Sequence, residues 1–193
     1  MGATLTASDL RKGLKLEIDG EPYIIVDFEF SKPGKGQALY RCRLKNMITG
    51  VQFDRTYRSG DKFLAADLEE QEMEYLYKDG TQYHFMNTTT YEQVELSEDA
   101  VGDAKNFLTE NLKVDMLLFK GSPIGISLPN FVELKVTQSD PGVKGDTASG
   151  ATKPATLETG YQIQVPLFIE EGDILKLDTR TGTYVERVKA AGS

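Results

Sequence analysis

Three consecutive segments decide the fold: Glu21-Pro22-Tyr23-Ile24-Ile25-Val26-Asp27-Phe28-Glu29-Phe30, then Ser31-Lys32-Pro33-Gly34-Lys35-Gly36-Gln37, then Ala38-Leu39-Tyr40-Arg41-Cys42-Arg43-Leu44-Lys45. The first is rich in β-branched and aromatic residues and alternates apolar with charged in its second half. The third alternates again, so each predicts a strand with one face toward a core. The Pro/Gly segment between them predicts the turn of a hairpin. A second turn, Asn46-Met47-Ile48-Thr49-Gly50, leads into a strand over 51–57. Short strands spaced this closely predict a small barrel.

Working outward, Glu69–Tyr77 has the Glu and Met content of a helix, but Met73, Tyr75 and Tyr77 alternate. It reads as a strand, turned at Lys78-Asp79-Gly80 into a second over 81–86. One helix is predicted, Ser97–Asn111: Ser97 suits the N-cap, Glu98 and Asp99 the helix start, and Val101, Ala104, Phe107 and Leu108 make an apolar stripe. Further strands are predicted over 131–136, 161–169, 174–178 and 183–188, with a Gly/Ser/Thr/Pro-rich loop over 140–154. A loop that long in a small barrel is usually functional or disordered.

Gly60–Asp67 and Pro129-Asn130 are the candidate boundaries, dividing the chain into 1–65, 66–129 and 130–193. The expected fold class is all-β, three small β-barrel domains in a row. Each barrel alone buries little, so packing between barrels is expected to help. A weak internal echo pairs Asn87-Thr88-Thr89-Thr90-Tyr91-Glu92 with 178–184, each read as a polar turn before a Tyr-bearing strand.

Composition excludes several functions. One cysteine, Cys42, cannot form an intrachain disulfide and makes a cysteine-based zinc site implausible. One histidine, His84, leaves little room for Ser–His–Asp chemistry. Phosphate-loop, dinucleotide-binding, metalloprotease and calcium-loop motifs are absent, and no metal or cofactor is expected. Myristoylation-like and N-glycosylation-like matches at Met1–Thr6 and Asn87-Thr88-Thr89 are short and lack context. No apolar run spans a bilayer and Met1–Lys15 lacks a signal-peptide core, so the default compartment is the cytoplasm. The net charge is −8, from 22 basic and 30 acidic residues. It is distributed as +3 over 1–65, −9 over 66–129 and −2 over 130–193. The basic end suits phosphate and the acidic middle suits solvent or a protein contact.

Two loops carry the candidate chemistry. Lys35 sits between Gly34 and Gly36 at the hairpin tip. Glycine neighbours let its amine project and let the backbone enter a narrow space, and Pro33 stiffens the arm. A hydrated tip lysine is a cation rather than a nucleophile, suited to modification or to insertion into a partner. Asp140-Pro141-Gly142-Val143-Lys144-Gly145-Asp146-Thr147 offers amides, a cation and short polar side chains that suit RNA backbone or unstacked bases.

Three segments resemble the bacterial elongation factor P family over essentially the full chain. Lys32-Pro33-Gly34-Lys35-Gly36-Gln37-Ala38 is similar to its modified-lysine loop, and 140–147 to its third-domain loop. Residues 153–172 fit its long C-terminal signature, Lys-x-Ala-x4-Gly-x2-Ile-x-Val-Pro-x2-Ile-x2-Gly. The resemblance implies an SH3-like (KOW-type) first domain and two OB-fold domains in an L-shaped, tRNA-like arrangement. It implies a non-enzymatic factor, expected to be monomeric, bound to the 70S ribosome between the P and E sites. There it would stabilise P-site peptidyl-tRNA and stimulate peptide-bond formation at polyproline.

By the same resemblance Lys35 is the residue that a lysine-modifying enzyme extends. Lys32, Pro33, Gly34, Gly36 and Gln37 support it near the CCA end of P-site tRNA. Gly145, Asp146 and Thr147 face the E-site codon, and Tyr184 and Arg187 lie near the small subunit. Ribosomal RNA and the basic stalk protein at the E site are further expected partners. The elongation factor P-like paralogue, a generic OB-fold RNA binder and a Schiff-base enzyme using Lys35 are the competing readings. The first is disfavoured by the full lysine-loop and C-terminal motifs, the second by an acidic pI near 4.8 and the lack of tryptophan, the third by an exposed hairpin tip.

Overall fold

The computed structural model describes residues 3–142 and 150–193. It is 57% strand and 7% helix, an all-β chain of three curled sheets that form half-barrels. The first sheet contains β1 (Thr4–Thr6), β2 (Lys15–Ile18), β3 (Glu21–Ser31), β4 (Leu39–Asn46), β5 (Gln52–Arg58) and β6 (Lys62–Ala65), in the order β1-β6-β2-β3-β4-β5. Strand β6 lies inside the stretch read as a boundary. The strands β3 and β4 pair from Tyr23↔Asn46 to Ser31↔Leu39, with a register shift between Ile25 and Asp27. Ile25 faces Leu44 and Phe28 faces Cys42, so four residues of β3 lie opposite three of β4. That bulge keeps the apolar residues on the core side as the strand turns toward the hairpin tip. Beneath lie the buried side chains of Ala7, Leu10, Leu16, Ile25, Cys42, Leu44 and Tyr57.

The second sheet has β7 (Leu68–Asp79), β8 (Gln82–Asn87), β9 (Gln93–Ser97), β10 (Lys113–Phe119) and β11 (Ser122–Ser127), ordered β11-β10-β7-β8-β9. The strand reading of 69–77 over helix is therefore right. The expected 97–111 helix is shorter: an α-helix covers only Glu98–Val101, and a 3-10 helix follows over Gly102–Phe107. The N-cap forms as expected, Ser97 Oγ accepting from the Ala100 amide at 3.2 Å. Gly102, at φ 60° and ψ −141°, takes a positive-φ conformation open mainly to glycine and ends the α-helix after one turn. The apolar stripe still does its packing, with Val101, Phe107 and Leu108 buried.

The third sheet has β12 (Phe131–Ser139), β13 (Thr152–Leu157), β14 (Gln162–Pro166), β15 (Ile174–Asp178) and β16 (Thr183–Lys189), ordered β14-β13-β12-β15-β16. The expected strand 161–169 stops at Pro166, where the Ile169 amide bonds the Pro166 carbonyl in a turn. Leu134, Val136, Ala155, Leu157, Val165, Leu175 and Leu177 form its core, joined by Phe107.

Spatial contacts divide the chain into two compact units, residues 1–70 with 117–125, and residues 71–116 with 126–193. The echo also needs correction. Tyr91 sits in a turn at φ 64°, ahead of β9, whereas Tyr184 lies on β16. The recurrence that does exist is in the turns. Asn46 Oδ1 accepts from the Ile48 and Thr49 amides, and Asn87 Oδ1 from those of Thr89 and Thr90, at 2.8 and 3.0 Å in both. Asp178 Oδ1 likewise accepts from the Arg180 amide at 2.9 Å. Each turn ends on a left-handed residue: Gly50, Tyr91 and Gly182.

Candidate functional site

The first candidate site grows out of the β3–β4 pairing. That ladder runs to Ser31↔Leu39, with β5 paired to β4 as far as Leu39↔Arg58, and residues 32–37 beyond it are an exposed loop. The Gly36 amide donates to the Pro33 carbonyl at 2.9 Å, closing a four-residue turn with Lys35 in third place. Neither Gly34 nor Gly36 adopts the left-handed region. A Cβ on Gly34 would meet nothing within 4 Å, and one on Gly36 would make only ordinary contact with Pro33. The fold does not require glycine at either position.

At the end of the ladder next to the turn, Phe30 is 53% exposed, its ring centroid 5.1 Å from that of Tyr40. The opposite face of the arm carries charge. Arg43 grips Asp54 through Nε at 3.0 Å and Nη2 at 3.3 Å. That bond holds the Asp54 carboxyl below its ordinary range and raises Arg43 further. Arg41 sits nearer the tip, between Glu29 and Thr56 across the sheet, and makes no ion pair among the described residues.

The other expected groups lie elsewhere. Cys42 is buried in the first core, and burial pushes its thiol up, away from the reactive thiolate. His84 is buried in the second sheet, stacked on Tyr77 at 4.4 Å between centroids, with Nδ1 3.5 Å from Glu95. Among the described residues no group of three or more His, Cys, Asp and Glu could hold a metal ion. No described helix is long and apolar enough to cross a membrane.

The second candidate site is on the third sheet. Gly145, Asp146 and Thr147 lie outside the described residues. The described residues on either side are well tied. The buried Lys153 ammonium donates to the Asp140 carbonyl at 2.5 Å, and the Ser139 amide donates to Glu171 Oε1 at 3.3 Å. Gly142 approaches so closely that a Cβ there would stand 3.0 Å from the Leu167 carbonyl. Tyr184 is half-buried and packs against the core. Arg187 reaches Asp173 Oδ2 at 3.5 Å, and its guanidinium lies 5.0 Å over the Phe168 ring. Sequence reasoning took Asp173 only as a turn residue and passed over Phe168. Neither lies near Arg187 in sequence; the Leu175↔Arg187 pairing brings Arg187 beside Asp173, and the segment between β14 and β15 brings Phe168.

Three family models match in succession: the elongation factor P KOW-like domain over residues 6–63, the elongation factor P OB domain over 68–126, and the elongation factor P C-terminal domain over 132–187. Elongation factor P of Desulforapulum autotrophicum is 64% identical over 182 residues, covering 94% of this chain and 97% of that one. Elongation factor P 2 of Geobacter sulfurreducens is 62% identical over 184 residues, covering 95% and 98%. Among solved structures, the eukaryotic translation initiation factor 5A from Methanococcus jannaschii superposes with a TM-score of 0.57 at 24% identity. It covers 65% of this chain and 92% of its own, a likeness of fold alone. Three domain models in register and near-complete alignment at this identity lead to one conclusion: the chain belongs to the elongation factor P family of translation factors.

Proposed function

We infer that the protein binds the 70S ribosome between the P and E sites, steadies P-site peptidyl-tRNA and speeds peptide-bond formation, above all at consecutive prolines. The observation that carries this reading is the Lys35 turn. A cation is presented on an exposed hairpin loop beyond the end of the sheet, flanked by glycines the fold itself does not need. Glycine where no internal contact demands it leaves room for close approach of another molecule.

Proline is a constrained nucleophile, and holding both reactants in register removes an entropic share of the barrier. The ribosome supplies the chemistry and the factor supplies position, so no residue of this chain is catalytic. Lys35, extended by a lysine-modifying enzyme, would hydrogen-bond tRNA backbone beside the CCA end, with Lys32, Pro33, Gly34, Gly36 and Gln37 shaping the arm. The +3 charge of residues 1–65 suits tRNA and ribosomal RNA phosphates. The −9 charge of residues 66–129 suits a basic protein at the E site, such as the ribosomal stalk protein. In this division of labour the segments 1–65, 66–129 and 130–193 act as three domains. The third brings Gly145, Asp146 and Thr147 toward the E-site codon and Tyr184 and Arg187 toward the small subunit.

Reconstituted translation of a message with consecutive prolines, run with and without the purified protein, tests the reading. Relief of the stall at the proline codons, with no change on a proline-free message, is the expected result. Equal stalling in both reactions would reject it.

A further inference from the structure

We propose that Phe168 and Arg187 form a stacking platform for an unpaired nucleobase of ribosome-bound RNA, on the surface near Gly142. This rests on the ribosomal reading above and adds a contact to it.

A lone exposed phenylalanine is unremarkable on a protein surface. This one is set apart by how firmly it and its neighbour are held. Phe168 is 55% exposed, yet Leu167 before it packs on Gly142 and Ile169 after it is fully buried. The ring therefore stands on a backbone fixed from both sides. Arg187 is fixed independently. Asp173, only 1% exposed, accepts from the Glu170 amide at 2.9 Å through Oδ2 and from the Ala191 amide at 2.7 Å through Oδ1. With its orientation set by backbone, that carboxylate directs the guanidinium over the ring, 5.0 Å from the centroid.

An exposed aromatic ring with a guanidinium plane against it matches an unstacked base. Bases stack on aromatic rings and on guanidinium planes, and the plane of Arg187 can stack while Asp173 holds its charge. A ribosomal protein surface would gain less from this pair, because Arg187 already has its carboxylate in Asp173. The platform lies next to Gly142, which approaches the Leu167 backbone and side chain.

The test uses the full chain and 70S ribosomes programmed with message and P-site tRNA. Affinity is measured for wild type, Phe168→Leu, Phe168→Tyr and Arg187→Lys, and a photoreactive benzophenone side chain placed at 168 is cross-linked and mapped. Phe168→Leu keeps apolar bulk without the ring and Arg187→Lys keeps charge without the plane. Each is expected to weaken binding about tenfold, the scale of one lost base stack, while Phe168→Tyr binds as wild type. The cross-link is expected on a nucleotide. Unchanged binding by Phe168→Leu, equal loss in Phe168→Tyr, or a cross-link to protein alone overturns the platform while the ribosomal reading stands. Failure of the wild-type chain to bind overturns both. Equal melting temperatures for the four proteins separate lost contact from lost fold.

Discussion

The Gly36 amide donates to the Pro33 carbonyl at 2.9 Å, and this single bond puts Lys35 at the outermost part of the arm. Because a Cβ at Gly34 would meet nothing, folding and activity should separate there. Gly34→Ala is expected to change stability by no more than about 0.5 kcal/mol, as for an ordinary surface change. Stimulation of proline peptide-bond formation should fall about tenfold or more, since small misplacements near the reacting groups are costly. Thermal melts and stall-relief rates on one preparation check both halves.

Arg41 and Arg43 share a face of the same strand but differ in their partners. Arg43 is committed to Asp54, whereas Arg41 has no ion pair among the described residues. Arg41→Gln should therefore weaken ribosome binding and reduce the slope of log affinity against log salt by about one, the signature of one lost phosphate contact. Arg43→Gln should leave that slope unchanged. Binding titrations at several salt concentrations distinguish the two.

Asp173 predicts a pH dependence of stability. Burial alone would raise its pKa, but the Glu170 and Ala191 amides and Arg187 together hold it below the ordinary value. A carboxyl depressed on folding stabilises fully above its unfolded pKa of about 3.9, and that stability is lost as pH falls through the lower folded value. Asp173→Asn should therefore lower the melting temperature at pH 7. It should also flatten the acid limb of the melting curve below about pH 4. Parallel acid limbs in variant and wild type would count against the assignment.

The recurring turns give a fourth expectation with opposite signs. Tyr91 is 69% exposed and held at φ 64°, a conformation glycine adopts without penalty. Tyr91→Gly should stabilise by about 0.5–1 kcal/mol, the left-handed penalty less the entropy glycine gives back. Gly182→Ala should destabilise by about 1–2 kcal/mol or more from its φ of 71° alone. Its Cβ would also stand 2.8 Å from the Tyr161 hydroxyl. Denaturant melts of the two variants check the pair.

The strands with clean alternation were legible in the sequence, and 174–178 was bounded correctly to the residue. What escaped was set by non-local partners. Strand β6 is four residues long and gains its identity only from β1 and β2 on either side. The helix was overextended because its apolar spacing also fits a 3-10 segment, and Gly102 was not read as a stop. At the candidate sites the Lys35 arm could be read locally, because a hairpin is a local structure. The Phe168–Arg187–Asp173 group could not, because its members meet only through the fold of the third sheet.

The most direct test of the central claim is the rate of peptide-bond formation between consecutive prolines on 70S complexes, with native protein purified carrying whatever its Lys35 bears, with Lys35→Ala, and with no factor. A large acceleration by the native protein is expected, with a rate for Lys35→Ala close to that without factor although the variant still binds the ribosome. A Lys35→Ala protein as fast as the native one would contradict the arm as the working element.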